Sequence, residues 1–403
     1  MNVLLFDLAT GGHHLEYAAH IARYLRRQGD DVTFATSASD GGSLRPEMDE
    51  FSRVFFIGGE LPTTMVAGAW QILMARGVGK ALRLAERERA DLVHCLYLDR
   101  SELGILASST FLARQIPLFG SLFWPHFVHG RDERTSALKR VYHAASAAAI
   151  VRMLRSGRMH TLFVHSNRTR SHLVRRLGAT RVDERVVVVP DPAKAPPPMS
   201  RGEARRDLDL PPDAPILLFF GETRPDKGAD LLLDAIAGGG AWTTVIAGES
   251  GAVGEAEAEA CRRSLREPAR LITRFGFVSD DDANRYFRAA DAVVLPYRSS
   301  FKGTSGVLQR AAASGIPVIA TDVGDVGPSV RQAGLGIVVR PGSPDALARA
   351  LGSFLMHAGE PGEEALARAR RYADANSWEV LGERMRRRYL EAVARTRTRR
   401  SAS

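Results

Sequence analysis

Short apolar runs recur along this chain with room for one amphipathic helix between successive runs, and this rhythm constrains the fold more than any other feature. Val3–Phe6 opens the series, Gly11-Gly12 follows, and apolar residues at helical spacing run from Leu15 to Gln28 before Gly29. Val32–Ala35 is the next short run, then Val54–Ile57, Leu92–Leu96, Pro117–Ser121, Leu162–Val164 and Val186–Val189. Runs this short and this apolar, separated by helix-length patterns, predict strands of a parallel sheet covered on both faces.

The composition then changes. Residues 191–198 read DPAKAPPP and residues 210–215 read LPPDAP, which predicts a linker over 197–214. A second series begins at Ile216–Phe220 and continues through Thr244–Ala247, Leu271–Phe275, Ala292–Leu295, Val318–Ala320 and Ile337–Val339. The expected organisation is an α/β protein of two Rossmann-like parallel-sheet domains, 1–196 and 215–374, facing across a cleft. Ligands of such domains bind where loops leave the carboxyl ends of the strands.

With 403 residues, 45% apolar and 25% charged, the chain has material for two cores and is far from a disordered composition. Cys95 and Cys261 stand far apart, which excludes a disulfide framework and a CxxC metal site. The opening MNVLLFDLATGG has no basic flank and is interrupted by Asp7, so a signal peptide is not expected. No apolar stretch approaches the roughly 20 residues of a membrane span, and a cytoplasmic location is the expectation. The net charge is +9 and only five of the basic residues are lysines, Lys80, Lys139, Lys194, Lys227 and Lys302, so a lysine inside a motif is scarce. No motif points to specific nucleic-acid recognition.

Three stretches carry chemistry. Gly11-Gly12 after the first strand allows close backbone approach to an anion, though a plain tight turn has the same pattern, and His13, His14 and Glu16 follow where a substrate would sit. In Gly221-Glu222-Thr223-Arg224-Pro225-Asp226-Lys227-Gly228 a strand ends, a short loop supplies Arg and Lys, and a helix over Ala229–Ile236 begins. A cation there can neutralise a diphosphate leaving group; a solvated, capped loop has the same pattern. Gly303-Thr304-Ser305-Gly306 precedes an Ala-rich helix, offering capping hydroxyls and free N–H groups for phosphate; a merely well-capped helix has the same pattern.

Taken together, these segments resemble the retaining GT-B glycosyltransferases of family GT4. The resemblance is carried by GETRPDKGADLLLDAI, FGFVSDDDANRYFRAADAVVLPY, GTSGVLQRAAASGIPVIATDVGDVGPSV and GLGIVV, preceded by LFVHSNRTRSHLVRRLGA and followed by Asn376-Ser377-Trp378-Glu379. It implies a helix over 375–403 that crosses back to the first domain, and transfer of a sugar from a nucleotide-diphosphate sugar to an acceptor hydroxyl with retention. No metal or other cofactor is implied. Lys227 matches the lysine on the donor diphosphate, with Arg224 beside it. Thr304, Ser305, Gly306 and Val307 match the helix start that binds phosphate. Gly276, Phe277 and Val278 match the segment holding the nucleobase, and Gly11 and Gly12 the first-domain loop near the diphosphate. His126 in LFWPHFVHG is similar to the active-site histidine, with His129 as the alternative.

The chain also departs from the family. Two acids eight residues apart are replaced by Lys302 and Arg310, and the usual Arg before the Lys-Gly pair by Glu222. A carboxylate accepts sugar hydroxyls whereas a guanidinium only donates, so these exchanges alter the site. They predict that Glu222 and Arg310 face each other across the cleft and either pair, or leave Glu222 to take sugar hydroxyls while Arg224, Lys302 or Arg310 supports phosphate. A competing reading is a degenerate GT-B protein that serves as a binding or scaffold partner. The acceptor class is a sugar, a lipid-linked or a small molecule, and the basic segment 134–160 reads either as a solvated helix face or as a candidate for peripheral contact with an anionic membrane. The acidic groups at Asp207/Asp209 and Asp280–Asp282 read as a post-linker segment and a helix start, not metal sites.

Overall fold

The computed structural model describes residues 1–9, 11, 14–37, 46–58, 67–111, 116–129, 136–177, 183–193, 196–267, 270–301, 303–356 and 362–401. The chain divides into two compact units, Met1–Pro190 with Trp378–Ser403, and Asp191–Ser377.

In chain order, the first unit begins with β1 (Asn2–Phe6), α1 (His14–Arg27), β2 (Asp31–Ser37), β3 (Arg53–Gly58), α2 (Ala67–Arg87) and β4 (Leu92–Cys95). It continues with α3 (Glu102–Phe111), β5 (Leu118–Leu122), α4 (His126–His129), α5 (Ala137–Arg155), β6 (Met159–Val164), α6 (Asn167–Leu177) and β7 (Val186–Val188). The second unit holds α7 (Arg201–Asp207), β8 (Ile216–Phe220), α8 (Ala229–Ile236), β9 (Thr243–Gly248), α9 (Glu255–Ser264), β10 (Leu271–Phe275) and α10 (Asp280–Ala289). After these come β11 (Ala292–Leu295), α11 (Gly306–Ala313), β12 (Val318–Thr321), α12 (Val326–Ala333), β13 (Gly336–Val339), α13 (Pro344–Met356) and α14 (Glu363–Ala375). The last helix, α15 (Trp378–Ser401), belongs to the first unit.

The first sheet runs β3-β2-β1-β4-β5-β6-β7 and is parallel throughout. Val3, Leu4, Leu5 and Phe6 are all buried, as a central strand covered on both faces requires. α1 lays Leu15, Ala18, Ile21, Ala22 and Leu25 onto one face, and Leu381, Met385 and Tyr389 of α15 join the same core. The Tyr389 hydroxyl lies 2.6 Å from Nδ1 of fully buried His94, whose Nε2 is 2.9 Å from Ser121 Oγ. Burial and His165 hold that imidazole down at about 3, so it stays neutral and each ring nitrogen has a hydroxyl partner.

The second sheet runs β10-β9-β8-β11-β12-β13, again parallel. In both sheets the strand order reverses at the first strand of the unit, β1 or β8. Loops leaving those two strands therefore stand at the topological switch point, where open α/β sheets bind ligands.

The predicted linker over 197–214 is instead part of the second unit. Ser200 caps α7 in a box with Glu203, the Ser200 N–H donating to Glu203 Oε2 at 2.9 Å and the Glu203 N–H to Ser200 Oγ at 3.2 Å. Buried Arg205 then donates to the Ala289 and Ala214 carbonyls and to Asp291 Oδ2. Prolines suggested a free connection, but one guanidinium satisfies the carbonyls of the turn and fixes it. The change of unit falls earlier, after Pro190, and the return after Ser377.

Candidate functional site

In the second unit the site is built from β8 outward. β8 ends at Phe220, and Gly221 takes φ +98°, a conformation that favours glycine. A Cβ there would stand 2.9 Å from the Lys227 ammonium, so the glycine also makes room for Lys227 to fold back over the strand end. Gly248, at the end of β9 with φ +137°, packs so closely that its Cβ would meet the Gly221 backbone at 2.5 Å. Thr223 is buried, donates to the Val253 carbonyl at 2.6 Å and accepts the Gly251 N–H at 2.7 Å. Its loop is thereby stitched to the segment after β9. Arg298 N–H donates to the Asp226 carbonyl at 2.9 Å, tying the same loop to the segment after β11.

The electrostatics of this loop single out one cation. Arg224 is engaged by Asp226, with Nε 3.0 Å and Nη2 3.2 Å from the two carboxylate oxygens. Lys227 has no such pair among the described residues; burial, and then the Arg224 charge, push its ammonium down to about 8. Asp226 and Glu222 act the other way, and Glu222 is exposed. A half-desolvated ammonium without a matched carboxylate is stabilised by an incoming anion.

The remaining donor-side residues sit on adjoining loops. Tyr297 is buried, with its phenol pushed up to about 12 by burial, and its hydroxyl lies 3.1 Å from Ser305 Oγ. Ser305 caps α11 by accepting the Leu308 N–H at 3.2 Å, and Thr304 donates to Asp191 Oδ2 at 3.1 Å. Gly306 is exposed, and no atom of the described residues lies within 4 Å of where a Cβ would be. Val307 packs against the second unit's core. Gly276, with φ +134° and equally open, donates its N–H to the Gly248 carbonyl at 3.1 Å. Next to it Phe277 is 87% exposed, whereas Val278 leans on the core. The loops after β8, β9, β10 and β11 thus form one continuous rim at the carboxyl edge of the sheet.

The predicted pair between Glu222 and Arg310 is not formed. Arg310 Nη2 donates instead to Asp280 Oδ1 at 2.7 Å, with the guanidinium 6.0 Å from the Phe287 ring centre. The reason is local: capped by Ser279, α10 presents Asp280 in its first turn, beside α11. The acid run at Asp280–Asp282 is a helix start, as expected.

In the first unit, Asp7 at the end of β1 is buried, and its carboxylate lies 2.8 Å from His14 Nδ1 while accepting the Ala9 N–H at 3.0 Å. The His14 ring rests on Tyr97 (centroids 3.8 Å apart), Tyr97 on Phe123 (4.2 Å) and Phe123 on His165 (4.1 Å). This column crosses the carboxyl ends of β1, β4, β5 and β6. Gly11 has open space where a Cβ would go, and Glu16 pairs with His20 at 3.6 Å along α1. His126 lies apart from His14's pair. Its ring stacks on Tyr142 at 4.9 Å, and its Nδ1 is 3.8 Å from the carboxylate of fully buried Glu102. Burial raises Glu102 to about 8, and burial with the His143 charge lowers His126 to about 4, so both are neutral near pH 7. Gly12, His13 and Lys302, and the side chain of His129, lie outside the described residues.

Sequence reasoning missed Glu102, Tyr97, Phe123, Gly248 and Asp280 as parts of these surroundings. Asp7 carried a visible signal, an acid at the end of an otherwise apolar strand; the others carried none.

Comparison with known proteins agrees with this architecture. A family model described as glycosyl transferases group 1 matches residues 214–357, and one described as glycosyltransferase family 4 matches residues 16–193. A D-inositol 3-phosphate glycosyltransferase of Salinispora tropica is 34% identical over 218 residues, 49% of this chain and 42% of that protein. The chain spans 42% and 40% of the length of the first curated relatives it matches. Among solved structures, a sucrose-phosphate synthase from Thermosynechococcus elongatus superposes with a TM-score of 0.74 at 19% identity, covering 98% of this chain and 99% of that one. Anabaena Alr3699/HepE in complex with UDP-glucose gives 0.69 at 17% identity, covering 98% and 99%. Residues 16–193, matching the family 4 model, and residues 214–357, matching the group 1 model, each fall within one of the two parallel-sheet units, and the chain is a GT4-like glycosyltransferase of GT-B fold.

Proposed function

We propose that this protein transfers a sugar from a nucleotide-diphosphate sugar to an acceptor hydroxyl, with retention of anomeric configuration and without a metal ion. The observation that carries the reading is Lys227, an ammonium folded over the end of the switch-point strand and without a matched carboxylate among the described residues. When the bond between the anomeric carbon and the diphosphate oxygen breaks, negative charge collects on the diphosphate. A fixed cation at that point lowers the barrier electrostatically. The open backbone at Gly306 and Gly276 suits phosphate and base contacts that use main-chain groups. Relatives named as inositol-phosphate glycosyltransferases, and a structural neighbour crystallised with UDP-glucose, support a nucleotide-sugar donor.

On the acceptor side the reading assigns His14, oriented by Asp7, and the neighbourhood of His126. Leu138 and Val141 of α5 are 80% and 67% exposed beside Lys139 and Arg140, and this face would carry contact with an anionic membrane holding a lipid-linked acceptor. No described helix is long and apolar enough to cross a membrane.

The test is a panel of UDP, GDP, ADP and dTDP sugars, scored by thermal shift and then by transfer with and without chelator. The expected result is one preferred donor, chelator-resistant turnover and a product of unchanged anomeric configuration by NMR. Failure of every donor to bind would refute the proposal. Chelator-sensitive turnover or an inverted product would refute its metal-free or retaining part.

A further inference from the structure

A cavity lies at the opposite edge of the first unit's sheet, away from the carboxyl ends where His14 and Asp7 stand. His160 and Thr161 begin β6 and Glu184 and Arg185 immediately precede β7, so these residues mark the amino edge. α15 passes over them, presenting Arg388, Glu391 and Arg395 from a single face, and together the residues enclose a cavity of about 450 Å³. We propose that this cavity binds a small phosphomonoester, a phosphoryl group on an organic part about the size of a hexose.

Charge and unmet hydrogen bonding argue for it. Three guanidiniums and two carboxylates line the cavity, leaving one net positive charge when His160 is neutral. Arg388 Nη1 is held by Glu391 Oε2 at 2.8 Å, and its Nε is buried with no hydrogen-bond partner among the described residues. Guanidinium N–H groups that no carboxylate or carbonyl holds can donate to an oxyanion. Arg185 spends Nη1 on the Leu154 carbonyl at 2.8 Å, and Arg395 makes no ion pair among the described residues. His160 has Nδ1 3.0 Å from Thr161 Oγ1. Burial, then Arg395 and Arg185, with Arg388 adding to them and Glu391 opposing, hold it down at about 4. A bound dianion reverses the sign of the field at the imidazole. Protonated His160 would then bring the occupied cavity to neutrality. The volume decides the ligand's size, because bare phosphate leaves most of about 450 Å³ unfilled, whereas sites for small organic molecules begin near ~300 Å³.

The experiment is isothermal titration of the full chain at pH 7 and constant chloride with glucose 6-phosphate, inorganic phosphate and, as the neutral control, glucose. The expected result is saturable binding of glucose 6-phosphate, weaker binding of phosphate and none of glucose. Arg388→Gln is expected to lose at least tenfold in affinity. Because that side chain is largely buried, the rim variant Arg395→Gln is measured beside it and loses at least threefold without a change in unliganded Tm. Lys227→Ala retains full affinity. In the wild type, saturating glucose 6-phosphate moves the His160 titration, read by NMR, upward by more than one pH unit. Absence of saturable binding, undiminished binding in Arg395→Gln, loss of binding in Lys227→Ala, or an unmoved His160 titration would each overturn the proposal.

Discussion

Replacing Lys227 by methionine should make the protein more stable and worse at its task. The ammonium is buried enough to fall from 10.5 to about 8 in the folded chain. Below pH 8 both folded and unfolded chains carry the proton, and holding it in the fold costs up to about 3 kcal/mol. Between pH 8 and 10.5 the unfolded chain binds more protons than the folded one, so wild-type stability rises with pH across that window. Lys227→Met removes both effects: stability at pH 7 increases by as much as ~3 kcal/mol, and the rise above pH 8 disappears. Donor binding moves the opposite way. Loss of one charge-assisted contact to a diphosphate is worth roughly 1.5–3 kcal/mol, or about 10–100-fold in Kd. Wild-type affinity should be flat below pH 8 and fall about tenfold per pH unit above it, while the variant shows no such break. Urea denaturation and titration calorimetry between pH 6.5 and 9.5 measure both. A variant that is less stable at pH 7, or that binds donor as tightly with the same pH break, refutes the reasoning.

Other perturbations test the surroundings. Gly248→Ala places a Cβ 2.5 Å from the Gly221 backbone at φ +137°, so a loss of about 3 kcal/mol or more in urea denaturation, with weakened donor binding, is expected. Tyr389→Phe takes the 2.6 Å partner from buried His94 and should cost about 1–3 kcal/mol by the same measurement. Glu102 is raised from 4.5 to about 8 by burial, so the unfolded chain ionises first and wild-type stability declines as pH rises from 4.5 to 8. Glu102→Gln should flatten that part of the Tm–pH profile; parallel profiles would contradict it.

The layered α/β organisation was legible because its signals are local. Ile216–Phe220, Leu271–Phe275 and Ala292–Leu295 are strands at the predicted bounds, each a short apolar run closed by glycine, proline or a polar turn. The 197–214 segment was misread because proline content speaks to backbone freedom and says nothing of Arg205, whose partners Ala289 and Asp291 are far away in sequence. The same limit applies in the site. The sequence marks Lys227 through its motif and Asp7 through its place at a strand end, since both sit beside the strand they serve. It is silent on Arg310 with Asp280, or His126 with Glu102, because those pairs arise only when helices from separate βα units dock. The exchange of acid for base at Arg310 was visible, but its consequence, an ion pair within the second unit, was not.

The central claim is that the loop after β8 holds the donor diphosphate through Lys227. With only five lysines in the chain, the Lys227 Nζ signal can be followed by NMR in protein labelled with ¹⁵N-lysine and assigned with Lys227→Met. The expected result is a titration near pH 8 in the free protein that moves up by at least one unit with the preferred nucleoside diphosphate bound. A nucleotide that binds and leaves the Lys227 titration where it was would contradict it.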